Sequence, residues 1–420
     1  LPGPRERRKE APHPQGARLA PMDRRLLALL SGVLLGTVSE SSLAPALPVL
    51  ERAFAVGPEA AQGVVSLGLL GAALAYLPLA GLAGRVGAGR LFRTGLFLHA
   101  LSALLLALAP SLWALYLLRL LQGVATAMVV GLVPGLAASA FPEARGYALG
   151  MVASTVAAGT LLGPALGGLA AGWGLPYVFL LPLPAALLAL LLSGNLPELP
   201  RQEGTLPSLL RAPGFLPALL ATGLYFLHTL GTTVALAFHL GKEGFSPGAI
   251  GGLLLLGPLE FLFLGAWAGR RADRMGYNRV ALLGAYLLVA AGLAFALLPL
   301  LHPLWGSALA LLLLGVGRAL FQAANNALVL SLAPKGTEGL ASGALSVARA
   351  LGQALGSALA GGSLGLFYRL FPSHGLAFAA TALLLTAFMG LAAFLVRSRE
   401  GSGEEVGHAP LDDPGGEGGA

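Results

Sequence analysis

Glu40 and Glu260 are the only acidic residues placed well inside the long apolar stretches of this sequence. Arg119 lies inside another, with Gln122 one helical turn on, and the pattern returns as Arg318 with Gln322. A charge at membrane depth is costly unless it is paired or hydrated, so each of these residues is a functional candidate. Low dielectric favours a neutral acid, whereas a neighbouring guanidinium favours the carboxylate. A carboxyl group held between those two pulls can take a proton from one side of a barrier and release it on the other. For Glu40, substrate contact and a structural ion pair are the alternatives; Glu260 could instead pair with Arg318 or Arg349.

Arg318, Gln322, Asn325 and Asn326 form a polar stripe that suits a substrate cavity, with helix-to-helix hydrogen bonding as the other reading. His228, beside Tyr225 and Phe226, fits either a cavity wall or packing. No pair among His99, His228 and His239 has metal-ligand spacing, so no metal is expected. Cysteine is absent, which removes thiol nucleophiles and disulfides. No Ser/His/Asp constellation points to an enzyme.

The elements that must hold these residues are long and apolar. The chain is 56% hydrophobic and 11% charged, with a mean hydropathy of +0.79; soluble domains carry about 25% charged residues. Apolar runs predict twelve membrane spans near 26–48, 62–83, 91–109, 113–139, 147–171, 176–193, 215–240, 248–268, 280–300, 306–331, 343–366 and 375–396. A polar segment at 194–214, carrying Pro197, Pro200, Pro207 and Pro213, divides six from six. The expected organisation is a disordered tail at 1–25, a six-helix bundle at 26–193, a linker at 194–214, a second bundle at 215–396 and a disordered acidic tail at 397–420. This is an all-α membrane protein of two pseudo-symmetric six-helix bundles. Met22-Asp23-Arg24-Arg25 looks like a natural start, so residues 1–21 read as an extension of the reading frame or a disordered tail.

The net charge of +7 and isoelectric point near 10.0 could suit nucleic acid, but the basic residues are scattered through short loops. On one side lie the amino tail, Arg85, Arg90, Arg93, Arg145, Arg201, Arg211, Arg270, Arg271, Arg274, Arg279, Lys335, Arg397 and Arg399; the other holds Arg52, Lys242 and Arg369. The positive-inside rule then places both termini and the linker in the cytoplasm. Three of the 26 basic residues are lysine, an arginine bias of the kind a GC-rich coding sequence gives. A bacterial inner membrane is the expected location.

The halves repeat one another. Gly150, Gly159 and Gly163 in span 5 have the spacing of Gly343, Gly352 and Gly356 in span 11. Arg85 and Gly87 after span 2 match Arg274 and Gly276 after span 8. Gly159, Gly163 and Gly167, four apart, put small residues on one helix face where another helix can approach. Pro164 removes a backbone hydrogen bond and should bend that helix. Span 11 has Gly356-Ser357 instead and loses the bend.

These motifs give the sequence its resemblance to the major facilitator superfamily over residues 22–400, with the drug:proton antiporter branch the best fit. Gly150 to Gly168, ending Gly163-Pro164-Ala-Leu-Gly167-Gly168, resembles that branch's antiporter motif. Gly269-Arg-Arg-Ala-Asp273-Arg274-Met-Gly276 resembles the cytoplasmic gating motif; its first-half counterpart has Gly84 where the family has an acid. Arg119-Leu-Leu-Gln122-Gly123 resembles the span-4 motif with its buried arginine. The resemblance implies that spans 1, 4, 7 and 10 line a central cavity in which Glu40 meets Arg119. In such a cytoplasmic gate Asp273 would dock against the positive amino end of span 5 and Arg145 and hold that side shut, with Arg85 and Arg274 as the arginines of the two matched loops. The alternative is that the arginines only set topology.

On this reading Glu40, Arg119 and Glu260 couple to protons, and Gln122, His228, Arg318, Gln322, Asn325 and Asn326 line the substrate cavity. The expected activity is proton-driven efflux of hydrophobic or amphipathic small molecules; export of a sugar or metabolite is the alternative. No nucleotide motif or cofactor is expected, since Gly87-Ala-Gly89 follows no strand and lacks a Walker-type lysine. The expected partners are substrate, protons and lipid, with no nucleic acid and a monomeric chain.

Overall fold

A computed structural model describes residues 23–199, 206–334 and 336–400, excluding the side chains of Ala80, Glu260, Phe261, Leu262, Ala266, Glu338, Arg399 and Glu400. Within these residues twelve helical segments are long and apolar enough to cross a membrane. In chain order they are α1 Arg24–Phe54, α2 Pro58–Leu79, α3 Ala88–Ala107, α4 Leu112–Ala140, α5 Arg145–Trp173 and α6 Leu175–Leu192. The second half supplies α7 Phe215–Lys242, α8 Pro247–Gly265, α9 Tyr277–Ala296, α10 Pro303–Ser331, α11 Gly339–Leu370 and α12 His374–Ser398. Helices satisfy their own backbone polar groups, which hydrocarbon cannot do.

The segment ends carry recognisable signals. Asp23 caps α1 by accepting from the Arg25 amide, and Ser111 caps α4 from the Ala114 amide. Ser246 accepts from Ala249 at the start of α8, where Pro247 occupies the first helical position. Between α2 and α3, and again between α8 and α9, the chain turns on one glycine of positive φ: Gly87 at +99° and Gly276 at +88°. The same left-handed hinge at matched positions is the sequence repeat expressed in backbone geometry. Trp113, Trp173 and Trp305 stand exposed at the ends of α4, α5 and α10 on one face, the pattern of an interfacial aromatic belt.

The boundaries read from sequence move at three places. The first helix begins at Arg24, the last runs to Glu400, and the linker contains a helical turn at Leu206–Leu210. That turn is held because Leu209 is buried with Phe215, Ala218 and Ala341. The tails before 23 and after 400 lie outside the described residues.

Small residues set the helix spacing in both halves. A Cβ at Gly159 would overlap the Thr37 hydroxyl, one at Gly163 the Ser41 hydroxyl and one at Gly167 the Ser42 backbone, so α5 lies against α1. Ser41 also donates to the Gly159 carbonyl at 3.1 Å. In the second half, Gly352 and Gly356 lie against the Gly223 and Leu227 backbone, bringing α11 onto α7 in the same way. Pro164 sits within a helix that runs unbroken from Arg145 to Trp173.

The two halves touch most closely on the face away from the linker. Gly168 of α5 and Gly251 of α8 meet backbone to backbone, Gly241 of α7 abuts Pro48 of α1, and Gly361 of α11 lies against Gln62 of α2. Two ion pairs span the same seam: Lys242 to Glu51 at 3.1 Å and Arg369 to Glu59 at 3.0 Å. On the linker face the halves part around a cavity of about 670 Å³ between Arg85, which follows α2, Pro134 of α4 and Ser346 of α11. The described state is shut on one face and open on the other.

Candidate functional site

Where the halves converge at mid-depth they enclose a second cavity of about 220 Å³. Glu40, Thr37 and Ser41 reach it from α1, Arg119 from α4, and Thr160 and Pro164 from α5. The other wall comes from Phe226, Thr229 and Thr233 of α7, Arg318 and Gln322 of α10, and Arg349 and Gln353 of α11. The expected quartet of spans 1, 4, 7 and 10 is present, joined by α2, α5, α8 and α11.

Glu40 faces two guanidiniums, Arg349 and Arg119. Arg349 also engages the Tyr76 hydroxyl, so it links α11 to α2 as well as to α1. Among the described residues, the ion pairs closer than 4.0 Å are the two on the seam, and neither includes Glu40. Its carboxyl group stays open to the cavity.

Arg119 is held from behind. Its Nε donates to the Val64 carbonyl at 2.9 Å, and another guanidinium nitrogen donates to Gln122 Oε1. Gly68 leaves room for the guanidinium, since a Cβ there would stand 2.6 Å from one of its nitrogens. Gln122 Nε2 meets His99 Nε2 at 3.4 Å, and Thr126 Oγ1 meets His99 Nδ1 at 3.2 Å. Thr126 spends its proton on the Gln122 carbonyl at 3.0 Å. The assignment that satisfies every group therefore puts hydrogen on His99 Nδ1 and lets Nε2 accept from Gln122.

The matching arginine is held differently. Gln322 accepts from the Tyr225 hydroxyl at 3.1 Å, and Tyr225 stacks on Phe321 with 4.8 Å between ring centroids. Arg318 contacts Tyr225, while its buried Nε has no hydrogen-bond partner.

Several expected cavity residues lie elsewhere. Gln122 is buried behind Arg119 because its amide is used by Arg119 and His99. His228 is fully buried and turned to the Leu385 carbonyl at 3.2 Å, since the cavity face of α7 runs through 226, 229 and 233. Asn325 bonds Thr222 Oγ1 at 2.7 Å and the Ala218 carbonyl at 3.2 Å, and so cross-links α10 to α7. Asn326 is half-buried and likewise off the cavity wall. The Glu260 side chain is outside the described residues. Arg349, expected only as a partner for Glu260, is a cavity residue in its own right; an arginine inside an apolar span is itself the signal. His99, Tyr76 and the wall threonines give no signal in the sequence beyond packing.

The gate expected at Asp273 is not formed in this state. Asp273 is exposed and accepts from the Tyr277 hydroxyl at 3.4 Å, and Arg145 and Arg274 are exposed too. That fits a face on which the halves are parted. Near Gly84, where the acidic residue is missing, the linker returns Glu198 to accept from the Ala88 amide at 3.3 Å.

A profile of the Major Facilitator Superfamily matches residues 29–357. The chain belongs to the Major Facilitator Superfamily. Its relatives in this superfamily include the multidrug resistance protein Stp of Mycobacterium tuberculosis, 37% identical over 151 residues, which cover 35% of this chain and 28% of that protein. The multidrug export protein EmrB of Haemophilus influenzae is 34% identical over 144 residues, 33% of this chain and 28% of that one. The riboflavin transporter RibZ of Clostridioides difficile is 27% identical over 172 residues, 40% of this chain and 37% of that one. These matches span less than two-fifths of each relative. Among solved structures, a POT family transporter in complex with a thioalcohol-conjugated peptide superposes with a TM-score of 0.73 at 13% identity, over 90% of this chain and 96% of that one. An inward-facing, occupied bacterial homologue of the lysosomal transporter Spinster gives 0.71 at 16%, over 89% and 96%. The major facilitator fold and integral membrane placement follow.

Proposed function

We propose that this transporter exports hydrophobic or amphipathic small molecules in exchange for protons, by alternating access. The observation that carries this reading is Glu40, a carboxyl group open to a cavity shared by both halves and facing two guanidiniums. The relatives named for multidrug resistance and export support the substrate class. The basic-residue asymmetry supports cytoplasmic termini in a bacterial inner membrane, which makes the parted face cytoplasmic and the sealed face external. The polar α10 wall with Arg318 and Gln322 favours a polar metabolite as the second reading.

The test is uptake of labelled candidates into proteoliposomes under an imposed pH gradient. Wild type should accumulate substrate and Glu40→Gln should lose the pH-driven component. Undiminished pH-driven transport in Glu40→Gln would remove Glu40 from the coupling.

A further inference from the structure

The charges around the central cavity do not balance. Three guanidiniums line it, Arg119, Arg318 and Arg349, against one described carboxylate, Glu40. Counting Glu260, the other acid within a span, still leaves three against two. Glu40 faces Arg349 and Arg119, both of the cations near it. Arg119 is further tied to the Val64 carbonyl and Gln122. Arg318 lies on the opposite wall, where it contacts Tyr225 but faces no carboxylate among the described residues. Its neighbour Gln322 accepts from Tyr225, and the Arg318 Nε is buried without a partner.

A buried guanidinium without a counter-charge is costly, and an anionic ligand relieves that cost when it binds. The planar guanidinium also matches carboxylate and phosphate oxygens two at a time. Beside it, Phe226, Leu311 and Leu314 offer an apolar wall and Thr229 and Thr233 offer hydroxyls. We infer that the cavity takes an amphipathic organic anion, its carboxylate or phosphate head on Arg318 and its apolar body against α7 and α10. The inference rests on this cavity being the substrate site, as proposed above. An ammonium-bearing molecule of the same shape meets an excess of positive charge and is disfavoured.

The test uses the full chain in lipid nanodiscs, with empty discs as the blank, and calorimetric titration of four matched probes: 2-naphthoate, 2-naphthyl phosphate, 2-naphthamide and 2-naphthylmethylammonium. One anion should bind about tenfold or more tightly than the neutral amide, as expected of a charge-assisted contact, and the ammonium no better than the amide. A stronger naphthoate marks a carboxylate substrate, a stronger phosphate a phosphorylated one. Arg318→Gln should lose the anion preference while keeping amide binding, and Arg318→Lys should keep part of it. Equal binding of anion and amide, or an anion preference unchanged in Arg318→Gln, overturns the assignment. If Arg318→Gln does not fold, the ranking of the four probes on wild type decides alone. pH-driven uptake of the ammonium without anion binding overturns this site and leaves antiport standing. Anion binding without any pH-driven transport does the reverse.

Discussion

Arg119 reaches the cavity in one orientation because its neighbours leave it no other. Gln122 and His99 fix its far side, and both are fully surrounded by protein. Replacing His99 by Leu leaves Gln122 Nε2 and Thr126 Oγ1 short of a partner in a dry interior. We expect His99→Leu to cost about 1–3 kcal/mol, read from denaturant titration in detergent, and to lower transport by freeing Arg119. A stability equal to wild type would mean that the network contributes nothing. Glu40, Arg119 and Arg318 were legible in the sequence because a lone charge within an apolar run is too costly to be incidental. Asn325 departs from the expected wall for a reason of depth. Seven residues beyond Arg318, it shares that residue's helix face but lies ~10 Å further along the axis, where α7 covers it. His99 could not be placed, because its partners lie on a different helix and its contacts have no local spacing.

At the scale of the helix, the glycines of α5 divide into two kinds that spacing alone does not separate. Gly167 abuts the Ser42 backbone, whereas nothing lies within 4 Å of a Cβ at Gly150. Gly167→Ala should destabilise by about 1–3 kcal/mol because backbone cannot yield. Gly150→Ala should be neutral or stabilise by up to about 1 kcal/mol through helix propensity. Parallel unfolding titrations of the two variants check this, and equal effects would refute the packing role. The twelve spans and their six-plus-six order were readable from apolar runs and from one proline-rich break. The repeat was readable too, and Gly87 and Gly276 give it a shared backbone geometry. The partner of each glycine face was not, since a stripe of small residues states that a neighbour comes close and not which neighbour.

Across the whole molecule, the sealed face depends on short-range packing and two ion pairs that link the halves. Such partly exposed pairs contribute from a few tenths to about 1 kcal/mol each, enough to bias two states of similar energy. Glu51→Gln with Glu59→Gln should therefore raise the fraction open on that face. The chain has no cysteine, so spin labels at Pro110→Cys and His302→Cys, in loops of that face, report the separation of the halves without background. An unchanged distance distribution in the double variant would show that packing alone holds the seam.

The same label pair tests whether the charge on Glu40 governs which face is open. Distances are measured by pulsed electron resonance from neutral to acidic pH in wild type and in Glu40→Gln. Acidification should redistribute the wild-type distances, and Glu40→Gln at neutral pH should already show the acid distribution and no longer respond. A pH response of the same size in Glu40→Gln would contradict the account, placing the coupling proton elsewhere.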